Sequence, residues 1–153
     1  MRIVPVHEKS FCVRIWLWTA LLFLAFCAPR TNAQVRITQA NLTLDGHPQI
    51  TFNTTTLSYY ILYRASVVTG GFAPVKMGLG ANGSVTLVDG TAAGKALFYR
   101  IGEIGLNSPL DTDQDGIDDV YELNHSELLN PMNPADALED YDGDGVSNLD
   151  EYR

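Results

Sequence analysis

Two stretches in the C-terminal third of this 153-residue chain set oxygen-bearing side chains at one spacing. Asp111, Asp113, Asp115, Asp119 and Glu122 take positions 1, 3, 5, 9 and 12 of the first, with Gly116 at position 6 and Ile117 at position 7. Asp140, Asp142, Asp144, Asn148 and Glu151 take the same positions of the second, with Gly145 and Val146 at 6 and 7, at an offset of 29 residues. The chemistry this spacing suits is the holding of Ca2+, a hard cation that takes about six to eight oxygens at roughly 2.3–2.6 Å. In a tight loop the carboxylates at 1, 3 and 5 turn to one centre and glycine at 6 permits the bend. The carbonyl at 7 adds an oxygen, and a Glu at 12, on the first turn of an exiting helix, gives two more. Ile117 and Val146 supply position 7, and their side chains are expected to point inward and pair between the loops.

A solvated acidic tail is the bland alternative. Such a tail has no reason to place glycine at the sixth position, an apolar residue at the seventh and Glu at the twelfth, and to do so twice. Crowding that many carboxylates together also costs repulsion that only a bound dication offsets strongly.

Both loops fit the pattern DxDxDGxxD/NxxE, and the run LNPMNPADA (129–137) separates them. In these residues the chain resembles the bacterial thrombospondin type 3 repeat, a relative of the EF-hand loop, and the likeness covers residues 111 to 151. It implies two Ca2+ ions. Asp111, Asp113, Asp115, Asp119 and Glu122, with the Ile117 carbonyl, would hold one. Asp140, Asp142, Asp144, Asn148 and Glu151, with the Val146 carbonyl, would hold the other, with position 9 ligating directly or through water and neighbouring repeats able to share ions. Two features depart from an EF-hand: Asp118 and Ser147 stand at position 8 where an apolar residue belongs, and 107–110 (NSPL) is not a helix leading in. Only an exit helix is expected, from about 118 to 129, with Val120, Tyr121, Leu128 and Leu129 as its apolar side. Calcium-triggered opening of a helix pair is therefore not expected.

The elements upstream read as strands. Segments 35–44, 49–53, 58–65, 75–79, 85–88 and 95–104 carry alternating or continuous apolar residues, and Asp45-Gly46, Asp89-Gly90 and 81–84 (ANGS, a hairpin-type turn) punctuate them. SYYILYRA (58–65) is apolar on both faces, as a central strand should be. Short strands with a turn every 8–12 residues predict a mainly β fold, a small antiparallel β-sandwich. Tyr59, Tyr60, Tyr63 and Tyr99 are expected in its core rather than on a sugar-stacking platform. The spacing, with LFYRI (97–101), resembles the fibronectin type III-like modules of secreted bacterial proteins. The expected layout is thus a sandwich over 34–105, a linker at 106–110 and the two-loop region over 111–153.

Residues 1–33 read as a secretory signal peptide. Arg2, Lys9 and Arg14 precede a 14-residue apolar run, and Thr31-Asn32-Ala33 offers a cleavage point. A membrane-spanning helix needs about 20 apolar residues, so no span is expected after cleavage. Cleavage removes Cys12, Cys27, Trp16 and Trp18, which leaves no disulfide to staple a small fold and shifts that role to a metal. The formal charge is −8, and residues 111–153 hold fourteen acids against Arg153 alone, a balance that excludes nucleic acid as a partner.

No nucleophile–base pair or phosphate loop stands out, so no enzyme is expected. The expectation is a secreted, extracellular or cell-surface (or periplasmic) calcium-binding structural module of the adhesion type, with an extracellular protein or a surface polysaccharide as partner. The alternatives are a non-catalytic accessory piece of a larger secreted hydrolase and a dockerin-like docking module.

Overall fold

Alternation along residues 48–54 decides which way each side chain turns: Pro48, Ile50, Phe52 and Thr54 are buried, while Gln49, Thr51 and Asn53 are half-buried. The computed structural model of the chain describes residues 2–3, 35–92 and 97–153. The expected signal peptide lies outside the described residues, apart from a two-residue strand β1 (Arg2–Ile3). Six longer strands follow: β2 (Ile37–Leu42), β3 (Pro48–Thr54), β4 (Ser58–Ala65), β5 (Ala73–Leu79), β6 (Gly83–Val88) and β7 (Phe98–Gly105). One antiparallel sheet has the order β2-β3-β6. The other has the order β7-β4-β5, also antiparallel, with β1 parallel on the far side of β7. The chain is mainly β, a small two-sheet sandwich.

Between the sheets lie Ile50, Phe52 and Leu87 from one and Tyr60, Leu62 and Tyr99 from the other, with the Phe52 and Tyr60 rings 5.2 Å apart. Each such side chain contributes about 1.5–3 kcal/mol by leaving water. Just past β6, the buried Asp89 accepts hydrogen bonds from Arg64 (2.7 Å), Tyr99 (2.9 Å) and Thr91 (2.9 Å). Burial alone would raise its pKa, but these donors outweigh it and hold the carboxyl below its ordinary value.

The segment 81–84 is not a hairpin, because β5 and β6 belong to different sheets. Thr54 Oγ1 donates to the Ala81 carbonyl (2.7 Å) and accepts from the Ala81 amide (3.1 Å), which pins the corner on the turn after β3. Gly80 lies so close there that a Cβ would sit 1.9 Å from the Thr55 carbonyl oxygen. The chain is thereby led across the sandwich instead of back along β5.

Strand β4 is apolar on both faces for a reason its own sequence does not contain. Its second face is covered by the acidic segment: Leu106, Val120, Leu123 and Met132 pack on Tyr59, Ile61 and Met77. The expected linker is itself attached, through Leu106 N–H to the Leu57 carbonyl (3.0 Å) and Leu110 N–H to the Tyr59 hydroxyl (3.0 Å). Residues 35–153 accordingly fall in one compact unit.

The exit helix is α1 (Asp119–Asn124), shorter than the sequence predicts. It is capped at its start by Asp118 and ends at His125, where the low-propensity run Asn124-His125-Ser126 gives way to turns. Those turns deliver Leu129 to a second small core with Ile117 and Ala137, against which Tyr121, Leu149 and Tyr152 pack. A 3-10 turn (Asp136–Leu138) and α2 (Asn148–Tyr152) complete the chain. The expected pairing of Ile117 with Val146 does not form. Ile117 is 0% exposed among Leu129, Ala137 and Leu149, whereas Val146 is 39% exposed.

Candidate metal centre

The two loops are built by the same hydrogen bonds. In the first, Asp111 Oδ1 accepts the amides of Gln114 (2.7 Å) and Asp115 (3.2 Å), and Oδ2 accepts that of Gly116 (3.1 Å). In the second, Asp140 Oδ1 accepts from Gly143 (2.8 Å) and Asp144 (3.1 Å), and Oδ2 from Gly145 (2.8 Å). Asp115 Oδ1 accepts from Ile117 (2.8 Å) as Asp144 Oδ1 does from Val146 (2.9 Å). Position 8 caps the following helix in both, through Asp118 and Ser147. The wrapping requires left-handed backbone at positions 4 and 6, with φ of 68° at Gln114 and 100° at Gly116, and 77° at Gly143 and 95° at Gly145. The first-position carboxylate thus organises the loop, and positions 3 and 5 are left turned inward.

In the first loop, Asp111, Asp113 and Asp115 form one carboxylate triad. Asp115, Glu122 and Asp136 form another, with the oxygens of each triad within 4.8 Å of one another. Glu122 is 0% and Asp136 4% exposed. Both oxygens of Asp113, both of Glu122, Oδ2 of Asp115 and Oδ1 of Asp136 are buried with no hydrogen-bond partner. An unpartnered buried carboxylate oxygen is among the most expensive groups a fold can carry. Burial first, then Asp113, Asp115 and Asp136, push the Glu122 carboxyl up to about 9. Burial first, then Asp115 and Asp111, push Asp113 up to about 6. Asp136 is also raised, by burial first, against the lowering effect of the Asn130 amide. Six free oxygens gathered at one place, on carboxylates of which Asp113, Glu122 and Asp136 are raised, could serve a hard dication as donors.

The second loop brings Asp140, Asp142 and Asp144 into a triad, and all three are exposed. Glu151 is exposed and stands outside the triad. Its carboxyl is raised, by desolvation first and then by Asp142, Asp144 and Asp140.

Of the residues expected as ligands, Asp111, Asp113, Asp115 and Glu122 are brought to one place, and Ile117 holds its seventh position with its side chain in the second small core. Position 9 is engaged in hydrogen bonds of its own in both loops. Asp119, fully buried, accepts the Tyr59 hydroxyl (2.8 Å), the Thr112 amide (2.8 Å) and the Thr112 hydroxyl (2.8 Å). The Asn148 side-chain amide donates to the Asp136 carbonyl (2.7 Å). Both position-9 backbone amides bond the residue just before their loop, Asp119 to Leu110 (2.8 Å) and Asn148 to Glu139 (2.8 Å). Position 9 is therefore a tether. Spacing within the loop misses Asp136, which reaches the first loop from the run between the two. The signal available was the acid closing Asn130-Pro131-Met132-Asn133-Pro134-Ala135-Asp136. Asp136 Oδ2 is fixed there by the Asn130 amide (2.9 Å), which leaves Oδ1 free.

Tyr59, Tyr60 and Tyr99 are buried and offer no stacking platform. Among the described residues no helix is long and apolar enough to cross a membrane. No protein-family model matches the chain, and neither a curated protein nor a solved structure matches it.

Proposed function

We propose that the chain is a secreted, non-catalytic calcium-binding structural module of the adhesion type. Its first loop is the main site, with Asp111, Asp113, Asp115, the Ile117 carbonyl, Glu122 and Asp136 as the residues that would hold the ion. The observation that carries this reading is the set of six unpartnered buried carboxylate oxygens, two of them on the fully enclosed Glu122. Bound Ca2+ would supply the charge that lets this acidic segment close. The second loop, with Asp140, Asp142, Asp144, the Val146 carbonyl and Glu151, is the more open site, and Ca2+ fills it after the first. Secretion and the likeness to thrombospondin type 3 repeats and fibronectin type III-like modules are supported by residues 1–33, by the doubled loop and by the two-sheet sandwich respectively. Millimolar extracellular calcium would keep sites of about 10⁻⁴–10⁻³ M dissociation constant substantially filled. Calorimetric titration with Ca2+ tests the reading. A tighter binding phase that survives Glu151→Gln and is weakened in Glu122→Gln is expected, and a chain that gives no heat with Ca2+ refutes the proposal.

A further inference from the structure

Helix α1 has attachments on two sides. Val120 and Leu123 join Leu106 and Met132 over Tyr59, Ile61 and Met77 of the sheet, while Glu122 is aimed into the carboxylate cluster. In its first turn Asp119 accepts the Tyr59 hydroxyl (2.8 Å), and the Leu110 amide donates to that same hydroxyl (3.0 Å). Isolated helices shorter than about 12–15 residues are marginal in water, so a six-residue helix holds its place only through what it touches. One of those attachments is unfavourable by itself, because Glu122 is fully buried beside Asp115 and Asp136 with both of its oxygens lacking a hydrogen-bond partner. The core between the sheets owes nothing to this cover: Ile50, Phe52, Tyr60, Leu62, Leu87 and Tyr99 lie on the other side of β4 and β7.

We propose that the metal site is the lock on this cover: with a dication bound, residues 106–132 seal Tyr59, Ile61 and Met77, and without one the cover lifts and presents that apolar sheet face. The inference rests on reading the cluster as a Ca2+ site and adds what the ion controls. The sheet has two apolar faces of unequal permanence. One is closed by the second sheet and is independent of the metal. The other is closed by a segment whose seat depends on cation charge.

Met77, 4% exposed beneath the cover, reports that face directly, because thioether oxidation by peroxide follows access. The chain is treated with hydrogen peroxide in excess Ca2+ and in EGTA, and sulfoxide at Met77 is followed by peptide mass spectrometry. Hydrogen exchange of β3 and β6 and calcium calorimetry are run on the same sample. The expected result is a calcium-binding heat, oxidation of Met77 faster in EGTA by roughly tenfold or more, and undiminished protection of β3 and β6. A calcium heat with equal Met77 rates overturns the lock and leaves the metal site standing. The absence of any heat overturns both. Loss of β3 and β6 protection in EGTA overturns a separable cover, because the metal would then hold the whole fold. Tyr59→Phe keeps the ring and removes the bridge to Asp119 and Leu110. It should bind Ca2+ yet oxidise at Met77 faster than the parent in calcium, and a rate equal to the parent's overturns the bridge's part in the lock.

Discussion

Glu122 and Asp136 bring carboxylate oxygens within 4.8 Å of each other and of Asp115, although one sits on α1, the other opens the 3-10 turn, and both are buried. Two buried acids so placed cost stability unless a cation joins them. Replacing either acid by its amide should therefore act in opposite directions in the two states. Glu122→Gln and Asp136→Asn should each raise the melting temperature in EGTA and reduce the rise produced by Ca2+. The calcium affinity should fall by at least ~10-fold, about 1.4 kcal/mol. Thermal unfolding with and without calcium, beside calorimetry, checks both signs. Variants less stable than the parent in EGTA would count against the cluster being a strained donor set.

Proton release should accompany binding. Burial, followed by the neighbouring carboxylates, raises Glu122 from an ordinary 4.5 to about 9. A carboxyl raised in this way holds a proton in the folded chain where the unfolded chain has already lost it. The contribution to stability is greatest below about 4.5 and disappears as pH climbs toward 9. Ca2+ needs the ionised form, so at pH 7 binding should expel about one proton, and affinity should rise with pH. Titrations in two buffers of different ionisation enthalpy count that proton, and identical apparent heats would show that none leaves.

Asp119 separates a tether from a ligand. It accepts the Tyr59 hydroxyl and both Thr112 donors, so Asp119→Asn should leave a buried donor facing an amide and cost about 1–3 kcal/mol. The stoichiometry of calcium binding should not change. If the variant is as stable as the parent and has lost an ion, Asp119 returns to the ligand set.

Gln114 holds φ at 68° where the matching position of the second loop is Gly143 at 77°. A side chain in that region costs about 1–2 kcal/mol, part of which glycine's freedom in the unfolded chain takes back. Gln114→Gly should raise the melting temperature by a few degrees, while Gly116→Ala and Gly145→Ala should lower it. Thermal unfolding in calcium is the measurement. A drop for Gln114→Gly would mean that its side chain does something the backbone argument leaves out.

Where structure is set within about a dozen residues, the chain could be read directly. The loops are legible because Asp111 and Asp140 bond only amides three to five residues ahead, and those bonds dictate glycine at position 6. The strands are legible because alternation and turn residues are local. Less legible are the surroundings of Asp136 and Asp119, because they are set by the packing of the 129–137 run under the first loop and, for Asp119, in part by a tyrosine 60 residues away. The apolar second face of SYYILYRA was visible, but its partner was not, because a run of acids does not read as a cover. The apolar residues that make it one, Val120, Leu123 and Met132, are scattered among polar and charged residues and prolines. The crossing at 81–84 was hidden because a tight turn has the same composition whether its strands share a sheet or part company.

The unequal exposure of Ile117 and Val146 gives this chain an internal control. Two copies of one backbone wrapping coexist in it, one enclosed and supplied with an extra carboxylate, the other open to solvent. Any gap between them in ion residence time or in calcium-over-magnesium preference measures what enclosure and that single added acid contribute, within one molecule and under one set of conditions.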